Sequence, residues 1–388
     1  MAIPLRYNIR NLIVRWRSTV ATSLGIALVV AVFVMVESLA RGLQSTYVST
    51  GDPRNLLVLR KGSTAESSSQ ITRNEVRLMK YLDGISRNQQ GDPLASAEIQ
   101  VLVQMDRHDH SGTAHVLVRG LGPVGIELRP RVKVTEGRMF RLGLNECIVS
   151  RRIAQRFANC QIGDQFTGGK ARWTVVGIFD AEKTAYESEI WIDADEARDA
   201  FNRSFYGSVL IRPVDDPAAV NSLTNRIESD RDLSVRILPE TKYYEEQTNT
   251  AAPIQFLGSF LAVVMSIGAA FSAMNTMYAA VGARVHEIGT LRVLGFRRRD
   301  IYGSFMIESI LLSLLGGALG CLLSLPLNGL ATGTLSWNTF TEVAFEFRIT
   351  GELLAKGMAF GLVMGVLGGL LPARMAARKP VLDALRSV

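Results

Sequence analysis

"ARVHEIGTLRVLGFRRRD", residues 283 to 300, lies between two long apolar stretches, and its reading decides the fold. It carries Arg284, Glu287, Arg292, Arg297, Arg298, Arg299 and Asp300, yet Val285, Ile288, Leu291 and Leu294 recur about one helical turn apart. A solvated charged loop has no use for an apolar stripe. A short helix that docks on another protein does, because it buries apolar anchors and fixes register with charge at the rim. A helix lying on its own membrane would show the same stripe, so both readings stand on periodicity alone. Gly295 predicts the stop of this helix and Asp300 the cap of the next.

Outward from this segment, apolar residues crowd into 19–40, 253–282, 301–330 and 353–373, each near or above the ~20 residues that cross a bilayer as a helix. With nearly half of its 388 residues apolar and a positive mean hydropathy, the chain is not a wholly soluble protein. The expected fold class is an α-helical membrane protein with four transmembrane helices and a mixed α/β extracytoplasmic domain inserted between helices 1 and 2. The first apolar run follows a basic segment as in a signal peptide, but it far exceeds the ~7–15 residues of a signal core and reads as an uncleaved anchor. Ahead of it, residues 1–18 set Leu5, Ile9, Leu12, Ile13 and Trp16 opposite Arg6, Arg10 and Arg17, the pattern of a helix lying along the membrane face.

Orientation follows from the basic residues. Arg6, Arg10, Arg15 and Arg17 flank the first span, five arginines fill 283–300, and Arg374, Arg378, Lys379 and Arg386 occupy the tail 374–388. The loop 331–352 offers Glu342, Glu346 and Glu352 against Arg348 alone. Both termini and the 283–300 segment are therefore expected in the cytoplasm, and residues 41–250 outside. The net charge of +7 belongs to this topology pattern, not to an aromatic-interleaved nucleic-acid groove.

The insertion 41–250 is long enough to bury its own core. "NLLVLRK", "SAEIQVLVQMD", "AHVLVRG", "ECIVS", "RWTVVGIF", "EIWID" and "SVLIRP" read as strands, and "TRNEVRLMKYLDGI", "SRRIAQRFA", "ADEARDAFNR" and "PAAVNSLTNRIESD" as helices. "GSTAESSSQ", 62–70, reads as a mobile loop. Asp106, His108, Asp109, His110 and His115 resemble a metal-ligand cluster, but without a fourth fixed ligand or a Cys/His framework they read as a polar hairpin turn, and no metal is expected. Cys147 and Cys160 are the pair that could form a disulfide, since Cys321 lies inside the third span. No G-x-x-x-x-G-K-S/T cradle occurs, so ATP is not bound by that device, and no nucleophile elbow or carboxylate pair marks an enzyme.

Within the spans, Gly357, Gly361, Gly365 and Gly369 recur every four residues, as do Gly316 and Gly320. Such ridges let helix backbones approach closely, either within this subunit or against a second copy. Glu308 lies about two turns into the third span and requires a polar partner there. Glu37 and Lys356 sit at span ends and reach water by snorkelling.

Arg284, Glu287-Ile288-Gly289, Leu291-Arg292, Leu294-Gly295 and Ile301 closely resemble the cytoplasmic segment between the second and third helices of FtsX-like permeases, the ABC transporter group that includes MacB and the lipoprotein-releasing permeases. "EGRMF", "NECIVSRRIAQRF", "IGDQF", "WTVVGIF" and "LLPARMAARKPVLDAL" resemble other parts of that family in the same order along the chain. The resemblance implies a coupling helix formed by Arg284, Glu287, Ile288, Gly289, Leu291, Arg292, Leu294 and Gly295, seated on a separate ATP-binding subunit that carries ATP and Mg. This chain itself would hold no cofactor. Phe296 stands where the family often has a smaller residue, and Arg297 to Arg299 form an unusually basic run. The resemblance further implies the bacterial cytoplasmic (inner) membrane, a second permease copy or paralogue, contact with membrane lipids, and a periplasmic adaptor or lipoprotein as a further partner class. Its cargo would be a lipid, lipoprotein, peptide or amphiphilic drug. The alternative is a non-transporting FtsX-like scaffold that activates a cell-wall hydrolase.

Overall fold

A computed structural model of the chain describes residues 4–248, 252–335 and 342–379. It divides into two compact units. The first comprises residues up to Arg41, Pro253–Leu330 and residues from Glu346 onward, and the second Gly42–Ala252 with Ala331–Phe345. The first unit opens with α1 (Leu5–Val14), which breaks at Arg15, and α2 (Trp16–Val48), a helix that continues beyond the apolar run 19–40 at both ends.

The second unit is built on a mixed sheet of ten strands among the described residues: β1 (Leu56–Arg60), β2 (Ala95–Asp106), β3 (Thr113–Leu121), β4 (Lys133–Gly137), β5 (Glu146–Ser150), β6 (Gln165–Gly168), β7 (Ala171–Asp180), β8 (Glu189–Asp193), β9 (Ser208–Ile211) and β10 (Val235–Pro239). The order is β10-β1-β9-β2-β3-β8-β5-β7-β4, with β6 paired to β7. β2 serves both halves: Ala95–Glu98 pair with β9 and Ile99–Asp106 with β3, all antiparallel. The β3/β8 and β5/β7 pairs are parallel.

Strand alternation gives the sheet two different faces. Ile99, Val101, Val103 and Met105 join Val116, Val118, Ile190 and Ile192 in one core, covered by α5 (Arg151–Arg156) and α6 (Ala194–Ala200). Leu56, Val58, Val209, Ile211 and Val235 form another, covered by α3 (Arg73–Lys80) and α7 (Pro217–Ser229). In the opposite phase stand Glu98, Gln100, Arg119 and Glu189, and on that side the chain adds α4 (Pro123–Glu127) and α8 (Glu240–Gln247). All seven strands and four helices read from the insertion are present. β4, β6, β10, α4 and α8 were not read, being short and, in β4, largely exposed, so no periodicity marks them.

One expectation for the insertion fails. Residues 62–70 are not a mobile loop: a 3-10 turn at Glu66–Ser68 buries Ala65, Glu66 and Ser69. The polar side chains of this stretch serve buried partners, a use that composition cannot distinguish from solvation. The histidine-rich stretch forms the β2–β3 hairpin turn, where His110 takes φ 56° and Asp109 accepts from the Ser111 hydroxyl at 2.6 Å. Cys147 and Cys160 are free, buried thiols, and burial pushes Cys160 up to about 12.

The first unit resumes with α9 (Ala252–Ala283), α10 (Val285–Val293), α11 (Arg298–Ser324) and, after β11 (Ala331–Leu335) and β12 (Glu342–Glu346), α12 (Gly351–Arg378). β11 and β12 pair with each other, and the Ala344 amide donates to Ser188 Oγ at 2.9 Å. Helices α2, α9, α11 and α12 are long and apolar enough to cross a membrane. The glycine ridges lie at contacts within the unit. A Cβ on Gly316 would stand 2.8 Å from Ile26 Cβ, and one on Gly320 would stand 2.5 Å from the Ala27 carbonyl oxygen. Gly357 abuts Val34, Gly361 abuts Val30, Gly365 abuts Ser313 and Gly369 abuts Ser309. The Ser309 hydroxyl also donates to the Gly365 carbonyl at 2.6 Å, a bond that the missing side chain permits.

Candidate coupling site

Arg284 interrupts the helical run between α9 and α10, with φ −119° and ψ 19°. Its guanidinium turns inward and meets both carboxylate oxygens of Glu308, at 2.8 and 3.0 Å. Both side chains are more than nine-tenths buried. Glu308 points there because Ile301, Ser304, Phe305, Glu308, Ser309 and Leu312 recur at helical spacing on the buried face of α11. The fork geometry satisfies two donors and two acceptors at once, which is what makes an ion pair tolerable away from water.

The apolar stripe is divided between inside and outside. Ile288 is buried with Leu12, Met277, Val281, Ile301 and Phe305, and Gly289 is buried beside it. Leu291 lines a cavity of about 10 Å³ with Tyr7, Ile288 and Phe305. Leu294, 69% exposed, faces outward together with Val293, 63% exposed. The segment's own bundle therefore takes the first part of the stripe, and its last turn offers the free apolar surface.

Gly295 ends α10. At φ 95° its amide donates to the Arg292 carbonyl at 3.2 Å, and the Phe296 amide donates to the Leu291 carbonyl at 3.1 Å. This is the reciprocal pattern a left-handed residue permits after a helix. Arg292 adds a bond from Nη1 to the Phe296 carbonyl at 3.3 Å. Asp300 is not the cap residue: Arg297 occupies that position, and Asp300, three residues on, accepts the Arg297 amide at 2.7 Å. A carboxylate serves the first turn from either position.

Sequence reading missed α1's part in this site. The Tyr7 hydroxyl donates to Glu287 at 2.8 Å, and the Ser304 hydroxyl donates to buried Asn8 at 2.6 Å. The signal was present, since Asn8 shares a helical face with Leu12, which packs on Ile288.

It also missed a buried ionic hub on the charged side of the sheet. Arg119, 1% exposed, reaches Glu189 through Nε and Nη2 at 2.8 Å each, Glu98 at 2.8 Å and Glu66 at 3.0 Å. Arg129 grips Glu98 from the other side at 2.6 and 2.7 Å. Burial alone would raise the Glu98 carboxyl, but Arg129 and Arg119 override it and hold the group below the usual range. Glu240 accepts from Asn55 at 2.8 Å, the Asp52 amide at 3.0 Å and Tyr186 at 3.0 Å, while burial pushes its carboxyl upward. Beside the hub is a cavity of about 40 Å³ walled by Tyr47, Tyr243, Tyr244 and Gln247. Among the described residues no group of three or more His, Cys, Asp or Glu side chains could hold a metal ion.

Residues 19–230 match the MacB-like periplasmic core domain and residues 259–381 the FtsX-like permease C-terminal family. The chain is 24% identical over 290 residues to the macrolide export ATP-binding/permease protein MacB of Rhodopseudomonas palustris, covering 70% of this chain and 43% of that one. It is 30% identical over 241 residues to the pyoverdine export ATP-binding/permease protein PvdT of Pseudomonas entomophila, covering 58% of this chain and 35% of that one. It thus spans less than half the length of these relatives. Among solved structures, the extracellular domain of the noncanonic ABC-type transporter YknZ from Gram-positive bacteria aligns with 13% identity and a TM-score of 0.35, over 47% of this chain and 99% of that one.

Proposed function

Because the chain belongs to the FtsX/MacB-type ABC permease family, we propose that it couples ATP hydrolysis on a separate ATP-binding subunit to movement of its α/β unit, for export or extraction of an amphiphilic cargo. In this reading it sits in the bacterial inner membrane with both termini and α10 cytoplasmic and the α/β unit outside. Two permeases, identical or related, stand on two ATPases.

The observation that carries the proposal is the form of α10. It is a short helix anchored by Arg284–Glu308 and Ile288, closed off at Gly295, and ending in exposed Val293 and Leu294 beside a run of arginines. That supplies apolar anchors with a charged rim on a rigid base, as helix-in-groove docking requires. The hub supports the output side: Glu240 on α8, the helix that precedes α9, bonds Asp52 and Asn55 just after α2, tying those two segments together inside the second unit. Relatives named for macrolide and pyoverdine export favour a secreted small molecule as cargo.

The test is co-purification with the native ATPase. A Val293→Asp/Leu294→Asp variant should insert and fold normally yet lose the ATPase and its stimulated turnover. Undiminished assembly would overturn the docking assignment. A cell-wall hydrolase retained in place of an amphiphile would redirect the reading to signalling.

A further inference from the structure

The corner between α1 and α2 has an unmet electrostatic need. Arg6, Arg10, Arg15 and Arg17 all precede the first acid of the chain, Glu37. Arg6, Arg10 and Arg17 are exposed, and so are Ile9, Ile13, Val14 and Trp16. The Arg17 guanidinium lies 5.6 Å from the centre of the Trp16 ring. Arg15 is different: the residue is half-buried, and its Nη1 is enclosed with no hydrogen-bond partner. Among the described residues of this unit, every enclosed side-chain atom lacking a partner is a nitrogen, including Asn8 Nδ2 on α1. Leaving such donors unmatched is costly, so an acceptor is what this corner lacks.

The surroundings indicate where the acceptor comes from. An exposed tryptophan, exposed aliphatic residues and three exposed arginines on one short segment match the boundary layer of a bilayer, where aromatic rings sit at headgroup level and arginines attract anionic lipid. We propose that the α1–α2 corner binds the phosphate of an anionic phospholipid, with Arg15 contacting a phosphate oxygen and Arg6, Arg10 and Arg17 supplying the surrounding positive field. Arg15 Nη1 is enclosed in the structure, so this contact requires its partly exposed side chain to turn outward. The inference rests on the reading of α2 as a membrane-crossing helix. It has a consequence for coupling, because α1 holds Glu287 of α10 through Tyr7 and Ser304 of α11 through Asn8. A lipid that steadies α1 steadies the docking helix.

The experiment uses the full chain without any ATPase, in nanodiscs of phosphatidylglycerol or of phosphatidylcholine. Native mass spectrometry should show preferential retention of phosphatidylglycerol, falling roughly fivefold for each arginine replaced. Amides of residues 5–14 and 285–293 should exchange more slowly with the anionic lipid, and Arg15→Gln should abolish that difference. Arg6→Gln/Arg10→Gln changes exposed side chains alone and should weaken retention while the fold persists. Equal retention of both lipids, or protection unchanged in Arg15→Gln, would overturn the proposal. Protection by inorganic phosphate in phosphatidylcholine discs would also overturn it, by identifying a soluble-anion site. If the chain shows no lipid preference yet docks the ATPase in a separate co-purification, the lipid proposal falls and the coupling assignment stands.

Discussion

Arg284 shows how far a single residue's role depends on its neighbours. By resemblance it belongs to a docking surface, yet it is buried against Glu308, where it fixes the base of α10 to α11. Removing one member leaves an uncompensated buried charge, which costs ~3–5 kcal/mol, whereas replacing both with apolar residues can be neutral. Arg284→Met should therefore lower the thermal midpoint of the detergent-solubilised chain sharply, and Arg284→Met/Glu308→Leu should recover most of the loss. Failure of the double variant to recover would show that the pair does more than anchor. In the other unit, Glu98 gives a pH dependence of definite sign. Its carboxyl is held low in the folded state, so the stabilisation is complete above the unfolded value of ~4.3 and fades as pH falls through the lower folded value. Glu240, pushed up by burial, works oppositely and contributes less as pH rises through its folded value. Thermal scans across acid pH should show the midpoint of wild type dropping more steeply than that of Glu98→Gln, which starts lower because Arg119 and Arg129 lose their shared anion.

At the scale of elements, legibility followed the length of the pattern. The four long helices were readable because each carries an apolar run of the length that crosses a bilayer, a signal that short elements cannot imitate. The seven predicted strands were readable from Val and Ile alternation, while β6, with four residues, has too few positions to show a period. Arg119 was hidden in plain alternation: in "AHVLVRG" it takes the phase opposite Val116 and Val118, and nothing local reveals that Glu66, more than fifty residues earlier, covers it. The glycine ridges were legible as packing surfaces, but not their partners. The contacts now separate two classes of glycine. Gly320→Ala forces a Cβ to 2.5 Å from the Ala27 carbonyl oxygen, and such overpacking costs ~1–3 kcal/mol, whereas Gly268→Ala on α9 meets nothing within 4 Å. Thermal unfolding in detergent should show a loss for the first and none for the second. A matching loss at Gly268 would mean that α9 packs against something beyond this chain.

For the whole molecule, the proposed function requires work to pass along a continuous element. α2 is unbroken through Arg41 and Gly42, where the first unit gives way to the second in sequence. Just beyond its end, the Thr50 hydroxyl accepts from the Ala185 amide at 2.8 Å, and Asp52 pairs with Arg212 at 3.0 Å. In the proposed mechanism a continuous α2 carries displacement, and a broken one does not. Gln44 is the exposed position at which to break it, because proline there removes a backbone hydrogen bond and kinks the helix at a cost of ~3 kcal/mol without deleting a buried contact. Gln44→Pro should leave ATPase docking at α10 and basal ATP hydrolysis intact, because both are determined at the other end of α2. Cargo release from the α/β unit, assayed in reconstituted membranes, should fall by an order of magnitude or more. Normal release by Gln44→Pro would mean that force reaches the α/β unit by way of α9 and α8 alone, and Glu240 would then become the position to break.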